Sequence, residues 1–287
     1  MKAGQVRRFL RDLGIRPSKQ SGQTFLLDSE VAQAQVAAAT VGPETRALEI
    51  GPGLGALTEQ ILARTKHLTA IEKDPRFVPF LQKKFPELDV RLQDALEGSL
   101  PTCEVCISNL PYVISSPLTF RLWTAGIPSL YLMVQSDFAR RITARQGQPG
   151  YSRLSVKAEY LVKAKTLFPV PAESFYPVPK VDSAVVEMVR RPTPPFVVLD
   201  PAYFFGVVDA GFQHRRKRLE NALALSTTQL NVAREDLHTT LAETGFSGKR
   251  AEELSARDFG VLADALRARS FKAETQITSG IAGEAWR

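Results

Sequence analysis

Over residues 46–135, short apolar runs alternate with stretches in which apolar residues return every third or fourth position. RALEI (46–50) is the first run. GPGLG interrupts it, and ALTEQILAR (56–64) then places Leu57 and Ile61 on one face of a predicted helix. HLTAIEKD (67–74), LDVRLQD (88–94), CEVCIS (103–108) and SLYLMVQ (129–135) read as four further strands. Between them PRFVPFLQKKF (75–85) is helix-like despite Pro79, and PLTFRLWTAG (117–126) is helical. Strand alternating with helix at this spacing predicts a mostly parallel sheet covered on both faces.

Flanking segments extend the picture. Asp28 is placed to cap a helix through EVAQAQVAAAT. SVKAEYLVKAKTLFPV (155–170) and DSAVVEMVR (182–190) read as two more strands, an antiparallel pair closing the sheet. RRPTPP (190–195) marks a hinge, beyond which AYFFGVVDAGF, RRKRLENALAL, AREDLHTTLAETG and SARDFGVLADALRAR give amphipathic helices. The first 25 residues read as a basic arm or short helix, and the expected division is this basic N-terminal segment at 1–27, an alternating strand–helix domain at 28–193, a small helical domain at 194–272, and a flexible tail at 273–287.

Composition narrows the class. Of the 287 residues 44% are hydrophobic and 23% charged, which fits a globular chain and not a disordered one. No run approaches the roughly 18 apolar residues of a membrane span, so no membrane partner is expected. The opening MKAGQVRRFLRDLGIRPSK lacks the apolar core of a signal peptide, and a cytoplasmic protein is expected. Cys103 and Cys106 have C-x-x-C spacing but sit within a strand with no second Cys or His pair nearby. The three histidines are scattered, and no metal is expected.

Charge points toward a polyanion. The net charge is +7, and the excess is local: Lys2, Arg7, Arg8, Arg11, Arg16 and Lys19 face only Asp12 in the first twenty residues. A second group runs from Arg140 through Lys165, and Arg215, Arg216, Lys217 and Arg218 are consecutive. Such patches suit nucleic acid, although a solvated surface reads the same way, and four consecutive basic residues cannot share one helical face.

Gly51, Gly53 and Gly55 follow a strand and open a helix, where glycine lets the backbone turn tightly against a ligand. With Ala56 they also satisfy the dinucleotide fingerprint, so the loop alone does not separate a nicotinamide enzyme from a methyltransferase. Three acids bear on the choice. Glu49 precedes the loop, where a pyrophosphate would be repelled; Glu72 ends the next strand, placed for ribose hydroxyls; Asp94 ends the third, placed for an adenine amino group. This set fits S-adenosylmethionine better, because its sulfonium centre is cationic. Taken alone, Glu72 also reads, less readily, as a solvated strand end.

SNLPYVISSP (108–117) leaves the fourth strand. The amine of adenine is a weak nucleophile because its lone pair is delocalised into the ring. The Asn109 side-chain oxygen and the Leu110 carbonyl can accept its two N–H groups and turn the lone pair toward a methyl donor, with Tyr112 stacked on the base. No base is needed before attack, since the proton can leave after transfer.

These motifs carry a resemblance. From about Lys19 to about Leu266 the chain resembles the ribosomal RNA adenine dimethyltransferase family, in its bacterial small-subunit branch. The blocks are SGQTFLLD (21–28), LEIGPGLGALTEQIL (48–62), AIEKDPR (70–76), QDAL (93–96), NLPYVISSPL (109–118), YSRLSV (151–156), VPAESFYPVPKVDSAVV (170–186) and FQHRRKRLENAL (212–223). The resemblance implies a Rossmann-like class I S-adenosylmethionine-dependent methyltransferase sheet with a small carboxy-terminal helical domain. The implied reaction is successive methylation of two adjacent adenosines in a hairpin near the 3′ end of small-subunit rRNA, giving N6,N6-dimethyladenosines, with a role in small-subunit maturation. By block, Gln23, Thr24 and Leu26 contribute to the cofactor pocket. Glu49 with Gly51, Gly53 and Gly55 holds the methionine end, Glu72 the ribose, and Asp94 with Ala95 the adenine. Asn109, Leu110, Pro111 and Tyr112 hold the target, Asn109 also bordering the cofactor. Phe175 packs on the other face of the target base, unless it belongs to the core and Phe168 or Tyr176 supplies the ring.

The chain departs from the family pattern at Thr24, where Asn is usual, at Gln93 and Ser152, where Gly is usual, and across QSDFARRITA. The implied partner is small-subunit rRNA within a pre-assembled small ribosomal subunit, with basic residues at 7–19, 140–165 and 215–218 around the cleft mouth. No oligomer interface is legible, and a monomer is expected. The rival readings are an enzyme acting on one adenosine of large-subunit rRNA, a DNA adenine methyltransferase, and an RNA-binding assembly factor with vestigial catalysis.

Overall fold

The structure, a computed structural model, describes residues 3–15 and 24–283, with side chains as far as 270. Its described residues form two compact units: one from the start to Thr143 together with Val162–Arg190, the other from Ala144–Leu161 together with the chain from Arg191 onward.

In the first unit, α1 (Ala3–Asp12) is a docked short helix, one of the two forms expected of the basic opening. Val6 and Leu10, one turn apart, are buried, and the Phe9 ring meets Phe80 edge-on at 4.5 Å, while Arg7, Arg8 and Arg11 stay exposed. β1 (Phe25–Leu26) follows, then α2 (Ser29–Ala38), whose first turn is capped by Asp28 Oδ1 accepting from the Glu30 and Val31 amides. The alternating core then runs β2 (Ala47–Ile50), α3 (Ala56–Leu62), β3 (Leu68–Glu72), α4 (Val78–Lys84), β4 (Asp89–Leu92), β5 (Val105–Asn109), α5 (Ser115–Thr124) and β6 (Ser129–Gln135). Pro79 lies in the first turn of α4, where its missing N–H costs no helical bond.

Two stretches after β6 differ from expectation. SDFARRIT forms a helix, α6 (Ser136–Thr143), not singled out from the sequence. The stretch 155–170, read as a strand, is α7 (Arg153–Leu161) followed by β7 (Val162–Val170). Val156, Ala158, Tyr160 and Val162 alternate as a strand would, but Val156 and Tyr160 are also one helical turn apart. Both are buried in the second unit, where the Tyr160 ring packs on Phe204 at 5.1 Å. Packing decided between two periods that the sequence satisfies together.

β8 (Phe175–Tyr176) and β9 (Ser183–Arg190) complete the unit. The large sheet has the order β4-β3-β2-β5-β6-β9-β7, parallel through β6, with β9 antiparallel to both β6 and β7. The chain order reverses between β2 and β5, and the crevice beyond the strand ends there is where such sheets bind ligands. A separate two-stranded pair, β1 with β8, sets Leu26 opposite Phe175 and so joins two segments far apart in the sequence.

The second unit packs α7 with α8 (Pro201–Gln213), α9 (Leu219–Leu223), α10 (Thr227–Leu230), α11 (Arg234–Glu243) and α12 (Ala256–Gly283) around Tyr151, Phe204, Leu223 and Phe259. The expected boundary after 193 falls close to where the chain changes unit, but residues 144–161, assigned to the first domain, belong to the second. Arg215–Arg218 precede α9 as a turn instead of starting a helix. The expected tail is helical through Gly283.

Gly51, Gly53 and Gly55 all have positive φ (70°, 53° and 76°). Gly55 is the most constrained, since a Cβ there would lie 2.4 Å from the Phe85 ring. Gly55→Ala should destabilise the protein by about 2 kcal/mol or more, from left-handed backbone strain plus the displaced ring, read as a lower urea midpoint. An unchanged midpoint would mean that the turn is more plastic than this packing implies.

Candidate active site

A cavity of about 800 Å³ opens at the reversal point, within the usual range of roughly 300–1,000 Å³ for small-molecule sites. It is lined by the Gly51–Gly55 turn, by Glu49, Glu72, Asp94 and Ala95 from the ends of three strands, and by Asn109, Leu110, Pro111 and Tyr112 beyond β5. Thr24, Leu26 and Phe175 line the same cavity. Gln23 lies outside the described residues.

Glu72 is not a solvated strand end. It is only 6% exposed, and its carboxylate accepts from the Gly53 amide at 3.3 Å and the Asp74 amide at 2.8 Å. Burial pushes its pKa upward against those bonds. The charged end of β3 is thereby tied to the glycine turn after β2.

Glu49 is 2% exposed, and its Oε2 accepts the Thr58 hydroxyl at 2.6 Å. Burial pushes its carboxyl up to about 8, so it is mostly protonated at neutral pH in the free protein. It is therefore not the standing negative charge that its position before the loop suggests. Thr58, one turn into α3, is the partner that sequence reading missed.

Asp94 is held in its ionised form chiefly by Lys73, whose Nζ lies 2.5 Å from Oδ2, while Oδ1 accepts from the Leu96 amide. Lys73 follows Glu72 directly, and its nearness to Asp94 comes from the parallel pairing of β3 with β4.

Asn109 ends β5, and its Oδ1 is buried with no hydrogen-bond partner. An unpaired buried acceptor costs stability unless a ligand satisfies it. Next to it, the half-buried Tyr112 hydroxyl is 2.7 Å from Ser183 Oγ, which anchors the ring through β9. Ser183 was not singled out in advance, although it stands within VPKVDSAVV. Phe175 is 3% exposed, lines the cavity and belongs to the hydrophobic core, so its two expected roles are not exclusive. Tyr176 instead carries Arg7 over its ring at 5.6 Å.

Cys103 and Cys106 are buried free thiols. Burial pushes Cys103 up to about 11 and raises Cys106 as well, which makes poor nucleophiles of both.

The basic groups divide. In the 140–165 stretch, Arg140 and Arg141 pair with Asp137, Arg145 with Glu159, Lys157 with Asp209 and Lys165 with Glu187. Much of that charge is therefore partnered locally, chiefly at exposed pairs. Within the second unit, Arg216, Lys217, Arg218, Arg234 and Arg250 line a cleft with Asn221. Arg215 pairs with Glu252, and Glu220 accepts from the Gly248 amide.

A mostly parallel sheet of this order, a glycine turn after β2 and acids ending β2, β3 and the β4 loop define a Rossmann-like S-adenosylmethionine-dependent methyltransferase. Residues 16–253 match the family described as Ribosomal RNA adenine dimethylase, and the chain belongs to that family. It is 35% identical over 280 residues to a Ribosomal RNA small subunit methyltransferase A from a Geobacillus species, covering 92% of this chain and 96% of the relative. Among solved structures, a dimethyladenosine transferase from Plasmodium falciparum matches with a TM-score of 0.70 and 26% identity, covering 83% of this chain and 95% of that one. The 23S rRNA methyltransferase ErmE matches with a TM-score of 0.60 and 27% identity over 85% of this chain and 99% of that one.

Proposed function

We propose that this chain dimethylates N6 of two adjacent adenosines in a hairpin near the 3′ end of small-subunit rRNA, acting in the cytoplasm on a pre-assembled small subunit during its maturation. The observation that carries the chemistry is Asn109 Oδ1: a buried acceptor without a partner, in the same cavity as the glycine turn and Glu72. The choice of subunit is supported by the small-subunit relative, which the chain matches over nearly its whole length.

The cavity residues fit the cofactor. Glu72 would hold the ribose hydroxyls, Asp94 and Ala95 the adenine, and Glu49 with the Gly51–Gly55 turn the methionine end, with Thr24 and Leu26 at the rim. S-adenosylmethionine, when bound, supplies a methyl group on a cationic sulfur. Asn109 Oδ1 and the Leu110 carbonyl accept the two hydrogens of the adenine amine and aim its lone pair. Pro111 fixes the turn, and Tyr112 and Phe175 bracket the extruded base. The basic cleft of the second unit offers phosphate contacts that offset the cost of unstacking, about a few kcal/mol.

Glu49 adds a pH dependence. Its raised carboxyl loses its proton when a cation docks beside it, so cofactor binding near pH 7 should release a proton and affinity should climb with pH up to about 8. The same upward shift means that this group's contribution to folding weakens as pH rises from the ordinary carboxylate range toward that value. Calorimetry of S-adenosylmethionine binding in two buffers of different ionisation enthalpy reads the proton. Equal enthalpies in both buffers would mean that Glu49 stays protonated in the complex.

The reaction itself is tested on purified ribosomal subunits that lack the modification, with labelled nucleotides mapped afterwards. Dimethyladenosine at two neighbouring positions near the 3′ end of small-subunit rRNA is expected. Label confined to the large subunit would reject the assignment in favour of the other branch of the fold.

A further inference from the structure

We propose that Arg121 and Gln93 are positioning residues that hold the loop after β4 in the shape that presents Asp94 and Ala95 to the cofactor's adenine; the inference rests on the methyltransferase reading above. Two separate side chains converge on this loop, and neither was assigned a role from the sequence.

Arg121 lies in the last turn of α5, the helix that begins just after the Asn109–Ile114 wall of the cavity. Its Nη1 donates to the Leu96 carbonyl at 2.5 Å, and its Nη2 donates to the Gly98 carbonyl and, at 3.4 Å, to that of Glu97. One planar guanidinium thus takes three successive carbonyls, a fork that the single ammonium of lysine cannot reproduce. From the other side, Gln93 Nε2 donates to the Glu97 carbonyl at 2.9 Å and to that of Ser99 at 3.2 Å.

The loop's own bonds turn inward to Asp94. The Leu96 amide donates to Asp94 Oδ1 at 2.9 Å, and the Glu97 amide to the Asp94 carbonyl at 2.9 Å. Gly98 completes the fit: its φ is +63°, and a Cβ there would sit 3.1 Å from Gln93 Nε2. The Gln93 amide occupies the space that a side chain at 98 would need. Glutamine at 93, where the family usually has glycine, therefore supplies the loop with an internal brace, and Arg121 ties that brace to the helix behind the target-base wall. Arg121 also adds to the electrostatic pull that keeps Asp94 ionised, after the larger effect of Lys73.

The test uses the full chain and the variants Arg121→Ala, Arg121→Lys and Gln93→Gly. In the cofactor-free protein, amide hydrogen exchange at Leu96 and Glu97 should quicken about tenfold in Arg121→Ala, and the calorimetric Kd for S-adenosylhomocysteine should rise about tenfold, as expected for losing one to two net hydrogen bonds. Arg121→Lys should recover little of either, and Gln93→Gly should move both in the same direction by less. The melting temperature should shift far less than a general packing defect of that size would require. Unchanged exchange and unchanged Kd in Arg121→Ala, with the unsubstituted protein binding normally, would overturn the clamp alone. Should Arg121→Ala not fold, Gln93→Gly decides by the same two readings. Failure of the unsubstituted protein to bind S-adenosylhomocysteine would sink the methyltransferase reading and the clamp's purpose with it.

Discussion

Asn109→Ala should lower methyl transfer by about 100- to 1,000-fold while leaving RNA affinity close to that of the unsubstituted protein. The side chain makes its contribution through Oδ1, a buried dipole without a partner, on a residue that lines the cavity. It cannot be replaced by water without giving up the fixed direction that turns the amine's lone pair toward the donor. Stability should not suffer from losing Oδ1, because a buried acceptor with no partner is a cost to the free fold that alanine relieves. A single-turnover assay at saturating cofactor and RNA isolates the transfer step. Turnover surviving at more than about a tenth of normal would mean that amine orientation is supplied by something other than Asn109.

Glu72→Ala should weaken cofactor binding by at least about 100-fold. Two hydrogen bonds from ribose hydroxyls to a charged acceptor are worth roughly 1.5–3 kcal/mol each, which converts to a factor of 100 or more. The loss has a second component, since Glu72 also accepts from the Gly53 amide and so holds the glycine turn against β3. Glu72→Gln, which keeps an acceptor oxygen but loses the charge, should fall between the two. Calorimetry with S-adenosylhomocysteine reads both variants. Equal affinity for Glu72→Ala would remove the carboxylate from the ribose site and leave it as a brace for the turn.

The architecture was legible where a single period governs a segment. RALEI, HLTAIEKD and SLYLMVQ are short, apolar and bounded, and each is a strand of the sheet. Residues 155–161 misled because their apolar positions satisfy strand and helix spacing together, and only burial in the helical unit settled the choice. The basic opening left arm and short helix both open: six cations dominate the composition, whereas two buried residues, Val6 and Leu10, anchor the helix.

For the site, residue type and strand-end position were enough to bring Glu49, Glu72, Asp94 and Asn109 to one cavity. Their electrostatic states were not legible. Glu49 holds a proton because burial outweighs the Thr58 hydrogen bond that favours its charged form, and Asp94 is ionised because β3–β4 pairing delivers Lys73. Likewise, nothing local to NLPY indicates that Ser183 would meet the Tyr112 hydroxyl. Such contacts arise from strand register, which no short motif encodes. The basic stretch at 140–165 gave the least reliable signal, since its partners Asp209 and Glu187 lie well outside the segment.

A crystal structure of the protein with the cofactor analogue sinefungin and adenosine monophosphate tests most directly whether one cavity holds both reactants. The account predicts the analogue along Glu72 and the Gly51–Gly55 turn. It further predicts the adenine between Tyr112 and Phe175, with its N6 within about 3.2 Å of Asn109 Oδ1. A base bound elsewhere, or one whose N6 points away from Asn109 while the analogue occupies the turn, would contradict it.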